Sequence, residues 1–430
     1  MKTWKVDKLG SLCADENCFI QTGPFGAQLH ESDYSDEGVP VVMPMNIVGG
    51  KLSENGIARV NENHVSRLAR YKTKKGDILF GRRGDIGRQA LVTQKEKGWL
   101  CGTGCLLIRP SRKLVDSYFL NNYFKQPSVI DYVSNQAIGA TMPNLNTGIL
   151  KNLPILLPPL PIQRKIAAVL SAYDDLIENN TRRITILEKM AEELYREWFV
   201  RLRFPEHERT KIVKGVPVGW ELRKIGSVVS TQYGYTASAD MEIEGPKFLR
   251  ITDIVPGVIS WESVPNCKIE QKDEEKYTLH EGDIVVARTG ATVGYAKRIN
   301  KLHPKSIFAS YLVRLIPRDN KYGIYLGLSV ERNSFKDFIN MFVTGAAQPQ
   351  ANANTMSLFP LFYPAAKTIA TFNRKVESIL DLKERLYVQS SLLTKTRDRL
   401  LSRLMSGKID LERLDIHFPP SMREEEMIHA

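Results

Sequence analysis

The sequence predicts an α+β protein in which two similar mixed α/β domains are separated by two long helices packed as an antiparallel coiled coil. Three observations predict this fold class. The chain contains an internal repeat, each copy holds short β-branched segments broken by Gly, Pro and Asn, and two long stretches place apolar residues every 3.5 positions. The repeat implies a pseudo-twofold relation between the two halves.

The internal repeat is clearest in a glycine-rich motif. GDILFGRRGDIG at 76–87 recurs as GDIVVARTGATVG at 282–294, 206 residues further on. The same offset relates two later motif pairs, IGATMPN with TGAAQPQ and LPILLP with FPLFYP. Near the start of each copy, Trp4 matches Trp220 with an offset of 216, so the first copy carries about ten extra residues. The chain is therefore a tandem duplication.

Each copy begins with a globular part. Segments such as VPVVM at 39–43 and GDILF are bounded by Gly, Pro and Asn, which is typical of short strands in a mixed domain. We place these two domains at 1–157 and 205–363. The proline-rich stop LPPLP at 157–161 then opens a helix, because proline is well tolerated at a helix entrance.

The first long helix, which we place within 158–204, has a regular apolar seam of roughly 50 Å at 1.5 Å per residue. Steps of four and three alternate along it, which is the coiled-coil period. Its residues are Ile166, Leu170, Tyr173, Ile177, Asn180, Ile184, Leu187, Ala191, Leu194 and Trp198. Asn180 is polar, and a polar seam residue usually fixes register at a cost in stability.

The second long helix, placed within 364–410 and followed by a tail at 411–430, has a less regular seam. Its apolar members are Phe372, Val376, Ile379, Leu386, Leu393, Leu400 and Leu404. Lys383, Ser390 and Arg397 interrupt it. We expect the two helices to bury their seams against each other within the chain. The alternative is that each helix pairs with another protein or with a second copy.

The composition favours a polyanionic partner. The formal net charge is +12, and a basic excess attracts nucleic acid, although many basic proteins have no such partner. Apolar runs long enough for a membrane helix or a signal peptide are absent, so we expect a cytoplasmic protein without a membrane partner.

The five cysteines predict no disulfide framework. Cys13, Cys18, Cys101 and Cys105 have spacings too loose for an ordinary zinc site, so we expect inert thiols, like Cys267, and no metal site.

Motifs for catalysis are missing from the sequence. It has no phosphate-binding Gly-x4-Gly-Lys-Ser/Thr loop, no Asn-Pro-Pro-Tyr-like motif, no Gly-x-Gly cofactor loop and no His-Glu-x-x-His. We therefore predict no catalytic residues, and a protein that is not an enzyme.

The loop after each Gly-Asp-Ile strand is a candidate DNA contact. Glycines allow close approach, and arginine can pair bidentately with guanine. The candidates are Arg82, Arg83 and Arg88 in copy one, and Arg288, Thr289 and Lys297 in copy two. The replacement of Arg83 by Thr289 is what two different half-sites would require. The alternative is a tight surface turn whose arginines pair with Asp85 or with water.

A second polar loop precedes each proline-rich block. Its amides suit adenine edges, but Asn and Gly are equally the residues of ordinary turns. The candidates are Thr141, Asn144 and Asn146, and then Gln348, Gln350 and Asn352. Weaker candidates are Phe25, Tyr34, Gln232, Tyr233 and Tyr235, while Lys72, Lys74 and Lys75 suit phosphates.

Three motifs, taken with their order and the duplication, carry a family resemblance. They are IQTGPFGAQL at 20–29 followed by Asp33-Tyr34, the GDIL segment with Arg82 and Gly84 after it, and LPILLPPL leading into QRKI. In these features the chain resembles the specificity (S) subunit of type I restriction-modification systems over nearly its full length.

The resemblance implies two target recognition domains separated by helical spacers. Such a subunit reads a bipartite double-stranded DNA target, one half-site per domain, and the spacers set the gap. It brings two modification (methyltransferase) subunits and two restriction (ATP-dependent translocase and endonuclease) subunits to that target. S-adenosylmethionine, ATP and Mg belong to those partners, and we expect no cofactor on this chain. The rival classes are a methyltransferase or nuclease with divergent motifs, and a basic coiled-coil adaptor.

Overall fold

The computed structural model describes residues 4–15, 17–83, 86–137, 144–255, 258–342 and 350–423. The chain forms two compact units. Unit 1 comprises Met1–Asn179 with Ser390–Ala430, and unit 2 comprises Asn180–Gln389. Each unit contains one copy of the globular repeat together with part of each long helix. The predicted mixture of helix and sheet with two long helices is confirmed.

Unit 1 is built around short strands and helices. The strands are β1 (Lys5–Lys8), β2 (Phe19–Thr22), β3 (Tyr34–Ser35), β4 (Val39–Val42), β5 (Ile47–Val48), β6 (Lys51–Leu52), β7 (Ala58–Val60), β8 (Ile78–Gly81), β9 (Gln89–Leu91), β10 (Leu100–Cys101), β11 (Cys105–Arg109) and β12 (Pro154–Leu157). The helices that begin in it are α1 (Glu62–Arg67), α2 (Ser117–Phe124), α3 (Pro127–Gln136), α4 (Thr147–Lys151) and α5 (Leu160–Tyr195).

Unit 2 repeats this plan. Its strands are β13 (Ile212–Val213), β14 (Val216–Pro217), β15 (Glu221–Lys224), β16 (Val229–Tyr233), β17 (Ala239–Asp240), β18 (Lys247–Leu249), β19 (Asn266–Cys267), β20 (Ile284–Ala287), β21 (Ala296–Arg298), β22 (Ser306–Phe308), β23 (Leu312–Pro317) and β24 (Pro360–Tyr363). Its helices are α6 (Gln271–Tyr277), α7 (Gly323–Val330), α8 (Asn333–Asn340), α9 (Ala353–Ser357) and α10 (Ala366–Met405), and a last short helix in unit 1 is α11 (Pro420–Arg423).

The sheets of the two units have equivalent topologies. The central antiparallel sheet runs β2-β11-β8-β9 in unit 1 and β16-β23-β20-β21 in unit 2. In each unit a second four-stranded sheet includes one parallel pair, β4 with β10 and β18 with β22. Because β8 and β20 begin 206 residues apart, as do α4 and α9, the duplication seen in the sequence is a duplication of structure.

The Gly-Asp pair before each central strand forms a tight turn. Gly76 and Gly282 have φ of +87° and +91°, a region that favours glycine. The following aspartate then accepts a hydrogen bond from the backbone N–H three residues earlier. The distances are 2.7 Å from Lys74 N to Asp77 and 2.6 Å from His280 N to Asp283.

An arginine completes each turn by pairing with the buried aspartate. Arg109 donates to Asp77 at 2.8 and 2.6 Å, and Arg314 lies 2.5 Å from Asp283. The Gly-Asp motif is therefore a structural element that fixes where the central strand begins.

Helices α5 and α10 contact each other within each unit. In unit 2, the Asn180 amide donates to Gln389 at 3.2 Å, and Lys383 lies 3.5 Å from Glu188. Residue numbers rise along one helix as they fall along the other, so the helices run antiparallel there. The two helices therefore contact each other within the chain, as the sequence analysis expected, and the interrupting Lys383 has a partner on the facing helix.

In unit 1 the same two helices are joined by an ion pair. Arg397 donates to Asp174 at 2.7 Å, and Lys125 from the globular part lies 3.1 Å from the same carboxylate. Ile166 and Leu170 of α5 are buried in one cluster with Leu404 of α10. Arg397, another of the three interruptions of the predicted seam, is therefore also paired across the helices.

The other predicted seam positions are covered to different degrees. Asn180, Leu187, Val376 and Leu386 are buried, as are Ile166 and Leu170. Ala191, Trp198, Phe372 and Leu404 are buried as well. The rest of the apolar seam is half-buried: Tyr173, Ile177, Ile184, Leu194, Ile379, Leu393 and Leu400. Within the described residues, no helix is both long and apolar enough to cross a membrane.

Candidate nucleic-acid interface

In copy one, the two predicted loops lie side by side. Arg82 follows β8, and its backbone N–H donates to the carbonyl of Gly104 at 2.9 Å. Its own carbonyl accepts a hydrogen bond from Leu145 N, also at 2.9 Å, and Arg83 forms an antiparallel bridge with Asn144. Residues about sixty positions apart are thus joined at the end of β8, an inner strand of the central sheet.

The side chains at the end of β8 are cationic and polar. Arg82 Nε donates to the Asn144 carboxamide oxygen at 3.0 Å. Burial lowers the pKa of Arg82, and the neighbouring charge of Arg83 lowers that pKa further. Arg83 and Arg88 are exposed, and the Arg88 carbonyl accepts from Gly81 N at 2.8 Å, next to the end of β8. Two adjacent guanidinium groups make this end of the strand favourable for a phosphate or a base acceptor.

Copy two has the same backbone arrangement. Arg288 N donates to the Tyr311 carbonyl at 3.0 Å, and the Arg288 carbonyl accepts from Ala351 N at 2.9 Å. Thr289 forms the antiparallel bridge with Gln350. Unlike the exposed Arg83, Thr289 is buried, so the second copy presents one arginine at this point where the first presents two.

The Arg288 side chain packs on an aromatic ring. Its guanidinium carbon lies 5.0 Å from the centroid of the Tyr233 ring, and Nη1 donates to the Ser310 carbonyl at 3.3 Å. The Tyr233 hydroxyl accepts a hydrogen bond from Ala353 N at 3.1 Å. Tyr311, which the sequence analysis missed, is 58% exposed beside Arg288. Its counterpart by hydrogen bonding is Gly104, so the repeat gave no signal for it.

Asn146 and Asn352 have equivalent structural roles. Each is the N-cap of a short helix, α4 or α9, and its carboxamide oxygen accepts a backbone N–H three residues on, at 3.0 and 2.8 Å. This is the ordinary role of asparagine at a helix start. Contact between these side chains and DNA stays a prediction.

Other predicted residues lie elsewhere. Lys297 lies in β21 opposite Val285 of β20, and it lines a cavity with Leu380 and Lys383 of α10. Thr141 and Gln348 fall outside the described residues, as does Asp85.

The weaker candidates have mixed environments. Gln232 hydrogen-bonds Arg314 at 3.3 Å, and Tyr235 lies 5.3 Å from the Tyr277 ring. Phe25 is exposed and Tyr34 is half-buried.

The thiols have protein environments that suppress reactivity. Burial raises the pKa of Cys13 and of Cys105 to about 12, so both are neutral near pH 7. Cys18 is the most exposed thiol, and its pKa is also raised, mainly by burial. Among the described residues, no group of three or more His, Cys, Asp or Glu side chains is arranged to hold a metal ion.

Comparison with known proteins identifies the relatives of this chain. The type I restriction enzyme MjaIX specificity subunit of Methanocaldococcus jannaschii is 26% identical over 394 residues, which cover 89% of each chain. The HindI specificity subunit of Haemophilus influenzae is 23% identical over 415 residues, covering 81% of this chain and 90% of the relative. These similarities extend through both copies of the repeat.

A solved structure shares the fold. The type I restriction-modification S subunit from M. genitalium superposes with a TM-score of 0.59 over 93% of this chain and 96% of that one, at 17% identity. The family model described as the type I restriction modification DNA specificity domain matches residues 1–189 and 217–389. With both recognition copies and most of the chain matched, this protein belongs to the type I restriction-modification DNA specificity family.

Proposed function

We propose that this chain is the DNA sequence-specificity subunit of a type I restriction-modification complex and binds a bipartite DNA target, one half-site per recognition domain. The observation that carries this proposal is that, in both copies, two polar loops pair at the end of the same central strand, β8 or β20. Arg82, Arg83 and Asn144 lie together in one, and Arg288, Thr289 and Gln350 in the other. The scaffold is shared while the presented side chains differ, as two unlike half-sites require.

The charge of the chain supports a duplex DNA ligand. The net charge is +12, and the first copy places two arginines next to each other at the loop edge. Phosphate contacts from such groups give affinity, whereas contacts to base edges give sequence preference. The tyrosines beside Arg288 add planar surfaces of the kind that pack against DNA. Arg88, Thr141, Asn146, Lys297, Gln348 and Asn352 complete the proposed set of DNA-contacting residues.

The long helices suit a role in assembly. Within this proposal they form an antiparallel coiled coil whose outer faces dock two modification subunits, and the full complex includes two restriction subunits. Exposed apolar side chains support such docking: Leu176, Ile186 and Met190 on α5, and Leu382, Val388 and Leu392 on α10. Where such residues form a contiguous patch, they mark a surface for a partner.

The chain supplies recognition in this proposal, and the partners supply catalysis. S-adenosylmethionine, ATP and Mg would bind to those partners, since the sequence lacks the motifs that hold them. Each thiol is buried or has a raised pKa, which disfavours the thiolate that a cysteine nucleophile requires.

Selection from a random pool of double-stranded DNA by the full-length chain, alone and with its modification subunits, tests the proposal. We expect a motif with two separated specific segments, and an affinity that falls steeply with added salt. Binding without salt dependence or without a selected motif would favour the coiled-coil adaptor instead. Binding of S-adenosylmethionine by the isolated chain would favour an enzyme.

A further inference from the structure

Arg82 and Arg288 are equivalent in their backbone environment. Each is the first residue after the central strand β8 or β20. Each donates its N–H to a carbonyl just before the neighbouring strand, at 2.9 and 3.0 Å. Each accepts a hydrogen bond at 2.9 Å from the residue after the bridging amide, Leu145 or Ala351. The starting point and direction of the two side chains are therefore set by the same two bonds.

The side chains themselves are held by different groups. In copy one, Asn144 accepts from Arg82 Nε at 3.0 Å. In copy two, Gln350 takes the place of Asn144, and the Tyr233 ring lies against the guanidinium at 5.0 Å. Tyr233 is the last residue of β16, where copy one has Thr22 at the end of β2, and a glycine follows both. Threonine is too small to cover a guanidinium, so the side chain that orients the arginine comes from a different place in each copy.

In both copies the Nε edge of the guanidinium faces the protein. Arg82 Nε is bonded to Asn144, and Arg288 Nε is buried with no hydrogen-bond partner among the described residues. In copy one, the fork formed by Nη1 and Nη2 is then the edge that remains to meet a ligand. In copy two, Nη1 already donates one N–H to the Ser310 carbonyl at 3.3 Å, which leaves Nη2 and the second Nη1 N–H for a ligand. A planar fork fixed in orientation suits a bidentate acceptor pair, such as guanine O6 and N7. A phosphate contact needs a nearby cation but no fixed plane.

Building on the proposed function, we infer that Arg82 and Arg288 each read a guanine in their own half-site, and that Asn144 and Tyr233 are the positioning residues that hold them. Each copy thus has one arginine that reads a guanine, at the same place in its fold. The exposed Arg83 of copy one, where copy two has the buried Thr289, supplies a preference that separates the half-sites.

The first test uses the duplex that the wild-type chain selects from a random pool, together with a set of duplexes in which each base pair is replaced in turn. Arg82→Ala and Arg288→Ala should each lose discrimination at one G·C pair of a single half-site. The expected loss is about 5- to 150-fold, the range of one bidentate base contact. Because each variant leaves the other half-site intact, each is the matched control for the other.

Other outcomes separate the inference from the function on which it rests. A uniform loss over all duplexes, with a salt slope smaller by about one, would make the arginines phosphate contacts and overturn the inference. Unchanged discrimination in both variants would overturn it too. In either case the bipartite DNA function would stand, whereas a wild-type chain that selects no motif would remove that function itself.

The second test addresses the positioning residues. Tyr233→Phe keeps the ring and should retain discrimination at the guanine, whereas Tyr233→Thr, the residue of copy one, should lose most of it. Asn144→Leu should act likewise on the other half-site. On a duplex already lacking that guanine, each of these variants should bind as the wild type does. Equal weakening on both duplexes would mean that the replaced residue has a purely structural role. Wild-type discrimination by Tyr233→Thr would mean that Tyr233 does not position Arg288.

Discussion

The two copies of the repeat bury the same backbone positions with different chemistry. In unit 2, Phe372 of α10 packs between aromatic rings, 4.8 Å from Phe199 and 5.5 Å from Trp198. The matched position in α5 is Ile166, an aliphatic residue, which is buried in unit 1 in one cluster with Leu404, Met405 and Phe119. Burial has been kept at this position while residue identity has not, as expected for a core that is filled by volume.

The polar parts of the scaffold have changed less than the core. Both copies keep the Gly-Asp turn, and both neutralise the buried aspartate with an arginine. The arginine comes from the end of β11 in one copy and from within β23 in the other. A buried carboxylate without a partner would be costly, so the charge is retained even though its position along the strand has moved.

The aromatic cluster gives the largest expected difference between the units. Phe372→Ala removes a fully buried ring and should lower the free energy of unfolding by about 4 kcal/mol, with increased hydrogen exchange in unit 2. Ile166→Ala should cost about 3 kcal/mol and act on unit 1. Urea unfolding with hydrogen-exchange mass spectrometry measures both. Phe372→Leu, which keeps most of the volume, should cost about 1.5 kcal/mol or less, and an equal loss from Leu and Ala would contradict the packing argument.

Loss of the buried ion pair should also lower the free energy of unfolding more in unit 2 than in unit 1. Asp283→Asn leaves Arg314, whose side chain is 6% exposed, without its counter-charge, and should cost about 3 kcal/mol. Asp77→Asn should cost less, about 2 kcal/mol. Arg109 is 15% exposed, also donates to the Lys72 carbonyl, and lies over the Phe19 ring.

A double replacement provides the control for this comparison. Asp283→Leu combined with Arg314→Leu should recover part of the loss, because no charge is then left buried. Urea unfolding of the single and double variants measures the coupling. Strictly additive losses would show that the two side chains contribute independently.

The sequence predicted the large features because they have local signals. The duplication, the two long helices and the loop after each central strand all follow from motif spacing and periodicity. The adjacency of the two polar loops depends on strand pairing between residues about sixty positions apart, and no local pattern encodes it. The contact of Tyr233 with Arg288 also depends on strand pairing. The equivalent position in copy one is Thr22, so the repeat gave no signal for this contact.

One ambiguity in the sequence has a physical origin. An asparagine before a short helix can cap that helix or face DNA, and both roles use the same carboxamide. The structure gives Asn146 and Asn352 the capping bond in both copies. The capping role does not exclude a DNA contact through the amide nitrogen, so the sequence pattern alone left the two readings equal.

Cap replacement separates these two roles. Asn146→Ala and Asn352→Ala should each lower the free energy of unfolding by about 1 kcal/mol, because one helix N–H loses its acceptor. Asn146→Ser and Asn352→Ser retain a capping oxygen and should restore most of that stability. Thermal unfolding and half-site binding are measured on the same variants. If a serine variant has wild-type stability but weaker binding to one half-site, that asparagine contacts DNA as well.

The smallest expected difference is in how the two units respond to acid. Burial acts to raise the pKa of Asp174, but Lys125 and Arg397 outweigh it, so this pKa is lowered in unit 1. Its stabilisation is therefore present above the unfolded pKa and is lost as the pH falls through the folded value, below about 4. In unit 2, burial raises the pKa of Glu384 despite the nearby Arg298 and Lys383. Its stabilisation is present below the unfolded pKa and is lost as the pH rises through the raised value.

Two isosteric variants should therefore have opposite pH dependence. Asp174→Asn should cost about 1 kcal/mol at pH 7, between the values for exposed and buried pairs, and this cost should shrink below pH 4. Glu384→Gln should stabilise relative to the wild type at pH 7, and the gain should disappear towards pH 4. Urea unfolding at pH 7, 5, 4 and 3 measures both. Parallel pH profiles for the two variants would show that the helices are held by the same electrostatics in both units, because only opposite signs of pKa shift produce diverging curves.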